Sequence, residues 1–199
     1  MRRKEFIKIS SIAGISLAIF PQISFHKFSE EFTRNQLIGK GNPDIVGDSY
    51  ASKMHKTAKE AFHKMKAAAA KENINIEVVS AFRSFQRQKE IFEGKYKRFT
   101  NEGLTPEKAI EKIIEYSTIP GTSRHHWGTD IDNRKGFKYE PWHFSYAPVS
   151  IPMLKEYKEQ IDVKKMLSEE KILGNEHFSE AFVSKYVKEN IFDINPKLL

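Results

Sequence analysis

The apolar positions of the chain fall into a few strongly periodic stretches separated by polar loops. From Ala51, the residues Ala51, Met54, Ala58, Ala61, Phe62, Met65, Ala68 and Ala69 recur at spacings of three and four. That period predicts an amphipathic helix ending near Lys71, with its Met and Phe stripe turned to the core. The next segment, Ile74 to Ser80, alternates and is β-branched, and reads as a central strand. Gln86 to Phe99 returns to the helical period, with Phe85, Gln88, Phe92, Tyr96 and Phe99 forming the inward stripe. Gln88 is the odd member, because the helical turn sets its polar amide between Phe85 and Phe92. Thr105 followed by Pro106 is an N-cap with the favoured first-turn proline, and Ala109, Ile110, Ile113 and Ile114 carry a third helix to about Tyr116.

The texture then changes. Ile119 to Ser123 reads as a loop, Thr129 to Asn133 and Tyr139 to Phe144 as short strands, and the chain is helical again from Pro148, most clearly over Glu176 to Ile191. Upstream, residues 21–50 are punctuated by Gly39, Gly41, Asn42-Pro43 and Gly47-Asp48 and read as an irregular lead-in. Strands gathered between helical stretches predict an α+β fold, a small antiparallel sheet packed against helices. A length of 199 residues suits one compact domain with appendages.

Composition narrows the chemistry. With 39% hydrophobic and 12% aromatic residues the chain can build a core without cross-links, and the absence of cysteine removes disulfides, thiolate nucleophiles and every Cys-based metal site. Any metal must be held by His and carboxylate. The net charge of +7 includes +3 from residues 1–20, where Arg2, Arg3, Lys4 and Lys8 outnumber Glu5. The remaining excess forms no basic stripe interleaved with aromatics. Lysines 53, 56, 59, 64, 66 and 71 spread over a solvated helix face, so nucleic-acid binding is excluded. The uncharged run Ile9 to Phe20 behind a basic segment has the form of an export signal. Arg3-Lys4-Glu5-Phe6-Ile7-Lys8 lies close to a twin-arginine pattern, with Lys for the second arginine. Residues 1–24 are therefore expected to be a Sec or degenerate twin-arginine signal, or an N-terminal membrane tether. The protein is expected in the periplasm or cell envelope, as a monomer.

Between Ser123 and His143 the sequence concentrates three histidines, several acids and both tryptophans of the chain. A lone His beside an aromatic is usually a hydrogen-bonded structural residue, but this density invites a metal. A catalytic zinc wants three nitrogen or oxygen ligands and one open position, which two His and one Asp supply, leaving Glu140 as a base for water. On an ideal strand neither His125 and Asp132 nor Glu140 and His143 share a face, since each pair is an odd number of residues apart. Gly128 and Pro141 interrupt the two intervals, and each permits a bulge or loop that redirects a side chain. A hairpin turning near Gly136 would set Asp132 opposite His143.

The run from Ser123 to Asp132, SRHHWGTDID, resembles the S-x-H-x-x-G-x-A-x-D motif of the VanY-type D-alanyl-D-alanine carboxypeptidases, and Glu140-Pro141-Trp142-His143 resembles their E-x-W-H. Ser80 to Phe85, with Gln88 five residues after Arg83, resembles the family's Y-R-S-x-x-Q segment. The resemblance covers roughly residues 36–150. It implies a Hedgehog/DD-peptidase-like fold with extra C-terminal helices: a zinc peptidase domain over 25–150 and a helical extension over 151–199 packed on it. It implies Zn2+ held by His125, Asp132 and His143, Glu140 as general base, and Arg83, Gln88 and Ser123 holding the peptide terminus. Arg83 would either steady the oxyanion or clamp the terminal carboxylate. The implied substrate is a peptidoglycan stem peptide ending in D-Ala-D-Ala. The alternatives are a non-catalytic envelope-binding domain, or an L,D-carboxypeptidase or endopeptidase on the same stem. Two departures stand out. Asp130 occupies the motif's alanine position, either as a partner fixing a metal-bound imidazole or as a competing ligand. Only seven residues separate Asp132 from Glu140, where the family inserts several tens.

Overall fold

The computed structural model describes residues 32–41, 44–49, 51–133 and 143–192, all within one unit, Glu31–Leu199. The segment expected to direct export, Glu140 and the first residues of the strand expected from Tyr139 lie outside the described residues. In chain order the elements are α1 (Arg34–Leu37), β1 (Ile45–Val46), β2 (Met54–His55), α2 (Lys56–Lys71), β3 (Val78–Ser80), α3 (Phe85–Asn101) and α4 (Pro106–Ile114). There follow a 3-10 turn (Arg124–Trp127), β4 (Asp130–Asn133), β5 (His143–Ser145), α5 (Ala147–Gln160), α6 (Val163–Glu169) and α7 (Glu180–Tyr186). Strands β1 and β2 form an antiparallel pair, and β3, β4 and β5 form an antiparallel sheet in that order. The architecture is α+β, as the alternation of patterns predicts.

Helix α3 anchors the core. Ser84 caps it by accepting the Arg87 N–H, and its buried residues are Phe85, Gln88, Phe92, Tyr96 and Phe99, the stripe read from the periodicity. Each large apolar side chain removed from water contributes roughly 1.5–3 kcal/mol, so this face commits the helix to the interior. Thr105 accepts the Lys108 N–H to cap α4, which adds Ala109, Ile110 and Ile113. The C-terminal helices supply Met153, Tyr157, Met166, Leu167, Val183 and Tyr186 to the same cluster. The lead-in contributes Leu37 and Ile38, fully buried, and the Leu37 carbonyl accepts the Trp127 indole N–H at 2.9 Å.

Three sequence expectations are corrected. The segment Ile74 to Ser80 is not a central strand. Only Val78–Ser80 pairs, as an edge of the sheet, while β4 takes the centre, and Ile74 and Val79 are exposed. The long helix begins at Lys56 rather than Ala51, because Met54 and His55 are drawn into pairing with β1. Its stripe is only partly core: Met54 and Ala58 are buried, while Phe62 and Met65 pack half-buried against the small cluster of Met54, Ala81 and Ile131. The helix expected over Glu176 to Ile191 is broken. A 3-10 turn at Asn175–His177 precedes α7, which Ser179 caps, and a π-helical turn at Val187–Ile191 follows.

Gly128 governs the join between the 3-10 turn and β4. Its φ is +66°, and a Cβ there would lie 2.7 Å from the His55 backbone nitrogen. Gly128→Ala therefore combines a left-handed backbone with a clash against an immobile strand. A loss of about 2–4 kcal/mol is expected, read as a lower urea midpoint at unchanged slope.

Candidate metal centre

The redirection of side chains that the odd spacing demands is supplied by this join. His125 lies on the 3-10 turn, whose N-cap Ser123 accepts the His125 N–H at 3.3 Å, and left-handed Gly128 then swings the chain into β4. In β4 the period of two puts Asp130 and Asp132 on one face and Ile131 on the other. Asp132 is in register with His143 of β5, and Asp130 with Ser145, so the hairpin juxtaposition of Asp132 and His143 is present.

The two histidines are held in different ways. His125 is buried, and its Nδ1 lies 2.7 Å from the Ala81 carbonyl oxygen, which can only accept; Nδ1 therefore carries the proton and Nε2 is left as the donor atom for a metal. That Nε2 faces Asp132 Oδ2 at 3.3 Å. His143 stands between the two carboxylates, donating from Nδ1 to Asp132 Oδ1 at 2.9 Å and from Nε2 to Asp130 Oδ1 at 2.8 Å. The rings of His125 and His143 meet edge to face with centroids 5.3 Å apart. One ligand atom from each of His125, Asp132 and His143 can be chosen so that all lie within 4.8 Å of one another.

The charges follow the contacts. Burial works against ionising His143, but its bonds to Asp130 and Asp132 prevail and raise its pKa to about 10. Burial likewise works against the charge of Asp132, but its contacts with His125 and His143 prevail and hold its carboxyl well below the ordinary range. Fully buried Asp130 is also lowered: the His143 bond and the Thr129 hydroxyl at 2.7 Å prevail over desolvation. His126 behaves otherwise. Burial pushes its pKa down to about 4, and its neutral ring donates from Nδ1 to the Arg83 carbonyl at 2.6 Å and accepts the Gly121 N–H at Nε2, 3.1 Å. It is a structural brace between the loop before the turn and the segment that joins β3 to α3.

Of the other residues singled out, Arg83 and Gln88 reach the centre together. Arg83 Nη1 donates to Gln88 Oε1 at 2.9 Å, and Nη2 lies 3.5 Å from Asp132 Oδ2. Gln88, fully buried, donates in turn to Ser117 Oγ at 3.0 Å and the Thr118 carbonyl at 2.7 Å. Ser123 is buried, with its hydroxyl accepting the His125 N–H. Sequence reasoning missed the support from the C-terminal helices. Tyr186 Oη accepts the Ile119 N–H at 3.0 Å and meets the Thr122 hydroxyl at 2.7 Å, and Tyr157 Oη donates to the Gly121 carbonyl at 2.8 Å. An aromatic hydroxyl on each inward helix face was the available signal.

The donor set suits a small divalent ion. Tetrahedral zinc with ligands at about 2.0–2.2 Å spaces its donors by roughly 3.3–3.6 Å, and one donor atom from each of His125, Asp132 and His143 already lies within 4.8 Å of the others. Two imidazoles and one carboxylate on rigid elements are the ligand chemistry of the catalytic metallohydrolases. Residues 51–136 match the family model VanY, D-alanyl-D-alanine carboxypeptidase. The match contains Arg83, Gln88, Ser123, His125 and Asp132 and ends before Glu140 and His143. No curated protein sequence matches the chain. Among solved structures, VanYB in complex with D-Alanine-D-Alanine is 18% identical with a TM-score of 0.48, over 66% of this chain and 92% of that one. A VanY mutant, a vancomycin resistance D,D-pentapeptidase from a VanB-type cassette in complex with Zn(II), is 19% identical with a TM-score of 0.40, over 58% and 61%. The LdcB LD-carboxypeptidase is 21% identical with a TM-score of 0.42, over 57% and 68%.

Proposed function

We propose that the protein is a zinc-dependent carboxypeptidase that removes the terminal D-alanine from peptidoglycan stem peptides ending in D-Ala-D-Ala, outside the cytoplasm. The convergence of His125, Asp132 and His143 carries this reading, and the family description supplies the substrate class. Zinc is favoured because two imidazole nitrogens and a carboxylate oxygen match its preference and no thiolate is available. When bound, zinc supplies a Lewis acid and makes water acidic near neutral pH.

The chain's own residues do the rest. The Ala81 carbonyl and Asp130 fix the orientation of the two imidazoles, so the donor nitrogens are in place before the ion arrives. Glu140 accepts the proton of the attacking water and returns it to the departing D-alanine amine, the alternation of base and acid that amide hydrolysis requires. Arg83 binds the terminal carboxylate of the peptide. Its planar fork suits a carboxylate, and its position is set by Gln88 rather than left to solvent.

Gln88 is therefore a positioning residue. Gln88→Met keeps the volume and removes the amide that holds Arg83. A charge-assisted hydrogen bond is worth roughly 1.5–3 kcal/mol, so kcat/KM is expected to fall about 10–100-fold, mostly through KM. Steady-state kinetics on a D-Ala-D-Ala peptide measures this; an unchanged KM would remove Gln88 from substrate recognition.

A further inference from the structure

Asp130 stands where the VanY-type motif carries alanine, and its surroundings assign it a task. Its carboxylate is fully buried, with Oδ1 on His143 Nε2 at 2.8 Å. Oδ2 receives the Thr129 hydroxyl at 2.7 Å and lies 3.3 Å from Ser145 Oγ, which lies 3.0 Å from Ser150 Oγ. Both oxygens are thus committed to partners on the hairpin and the first turn of α5. The two nitrogens of an imidazole point in diverging directions, so a carboxylate on one cannot share an ion with the other. The edge of His143 that faces Asp132 is the Nδ1 edge, since Nδ1 is the atom 2.9 Å from Asp132 Oδ1. Asp130 lies behind the ring.

We propose that Asp130 is a positioning residue, a buried carboxylate that accepts a hydrogen bond from the Nε2–H of His143 and so turns Nδ1 of that ring, and not Nε2, to the metal. The centre is then built from opposite tautomers. His125 keeps its proton on Nδ1, held by the Ala81 carbonyl, and ligates through Nε2; His143 keeps its proton on Nε2 and ligates through Nδ1. The arrangement also answers which role the acid at the motif's alanine position plays: it orients a ligand and does not close the fourth position. A carboxylate behind a ligating imidazole fixes its ring and raises its basicity, and loss of such a partner typically costs about 10–100-fold in metal affinity.

This inference rests on the metal reading above, and two measurements on the full-length protein separate their fates. Zinc affinity is measured by competition with a chromophoric chelator. Wild type should bind one zinc per chain, Asp130→Ala about 10–100-fold more weakly, and Asp130→Asn, whose amide oxygen still accepts the Nε2 proton, between the two. Equal affinity in Asp130→Ala would overturn the role of Asp130 alone; no zinc in wild type would overturn the metal centre itself. Because a buried substitution can impair folding, the second measurement uses wild type only. Long-range 1H–15N correlation of the zinc-loaded protein should show His143 protonated at Nε2 and His125 at Nδ1. Protonation of His143 at Nδ1 would overturn the proposal whatever the variants do.

Discussion

His143→Ala is expected to abolish stoichiometric zinc binding. Zinc sites made by folded chains hold roughly 10–16 kcal/mol of apparent binding free energy. A third of that, about 3–5 kcal/mol, corresponds to roughly 10²–10⁴-fold in affinity. This exceeds what loss of Asp130 costs, because alanine at 143 removes a ligand and alanine at 130 only frees one to turn. The fold should survive, since His143 lies in a three-residue strand and is only half-buried, away from the main cluster. Metal analysis after gel filtration, beside circular dichroism to confirm folding, gives the result; one zinc per folded His143→Ala chain would show that the ligand set is wrong.

Glu140→Gln should separate chemistry from metal binding. The amide has nearly the shape of the acid but cannot take the proton of water, and a general base contributes typically about 10²–10⁴-fold. Turnover on a D-Ala-D-Ala peptide is expected to fall by at least that range, because the same group must also protonate the leaving amine. Zinc content should stay at one per chain. Undiminished kcat would remove Glu140 from the mechanism, and loss of zinc would make it a ligand instead.

What the sequence made legible follows from the range of the forces involved. The buried face of α3 was readable residue by residue, including the anomalous Gln88, because a helical stripe is a local period. The pairing of Asp132 with His143 was readable because a short hairpin leaves few registers, and the need for a break at Gly128 followed from the odd spacing of His125 and Asp132. Long-range pairing was not readable. Met54 and His55 fit the helical period of α2 but join β1 instead, and β3 became an edge because β5 closes on the far side of β4. The neighbours His125 and His126 could not be told apart by type. They diverge because one faces the Ala81 carbonyl and Asp132, and the other the Arg83 carbonyl and the Gly121 N–H. Asp130 was visible as an unusual residue on the right face of a strand, but its role required knowing which ring nitrogen it meets.

The most direct test of the account is the product formed by the zinc-loaded full-length protein from a stem pentapeptide ending in D-Ala-D-Ala, followed by mass spectrometry. The account predicts loss of a single alanine, abolished by a chelator and restored by added zinc. No cleavage by the zinc-loaded protein, cleavage at another bond, or release of alanine that chelation leaves untouched would contradict it.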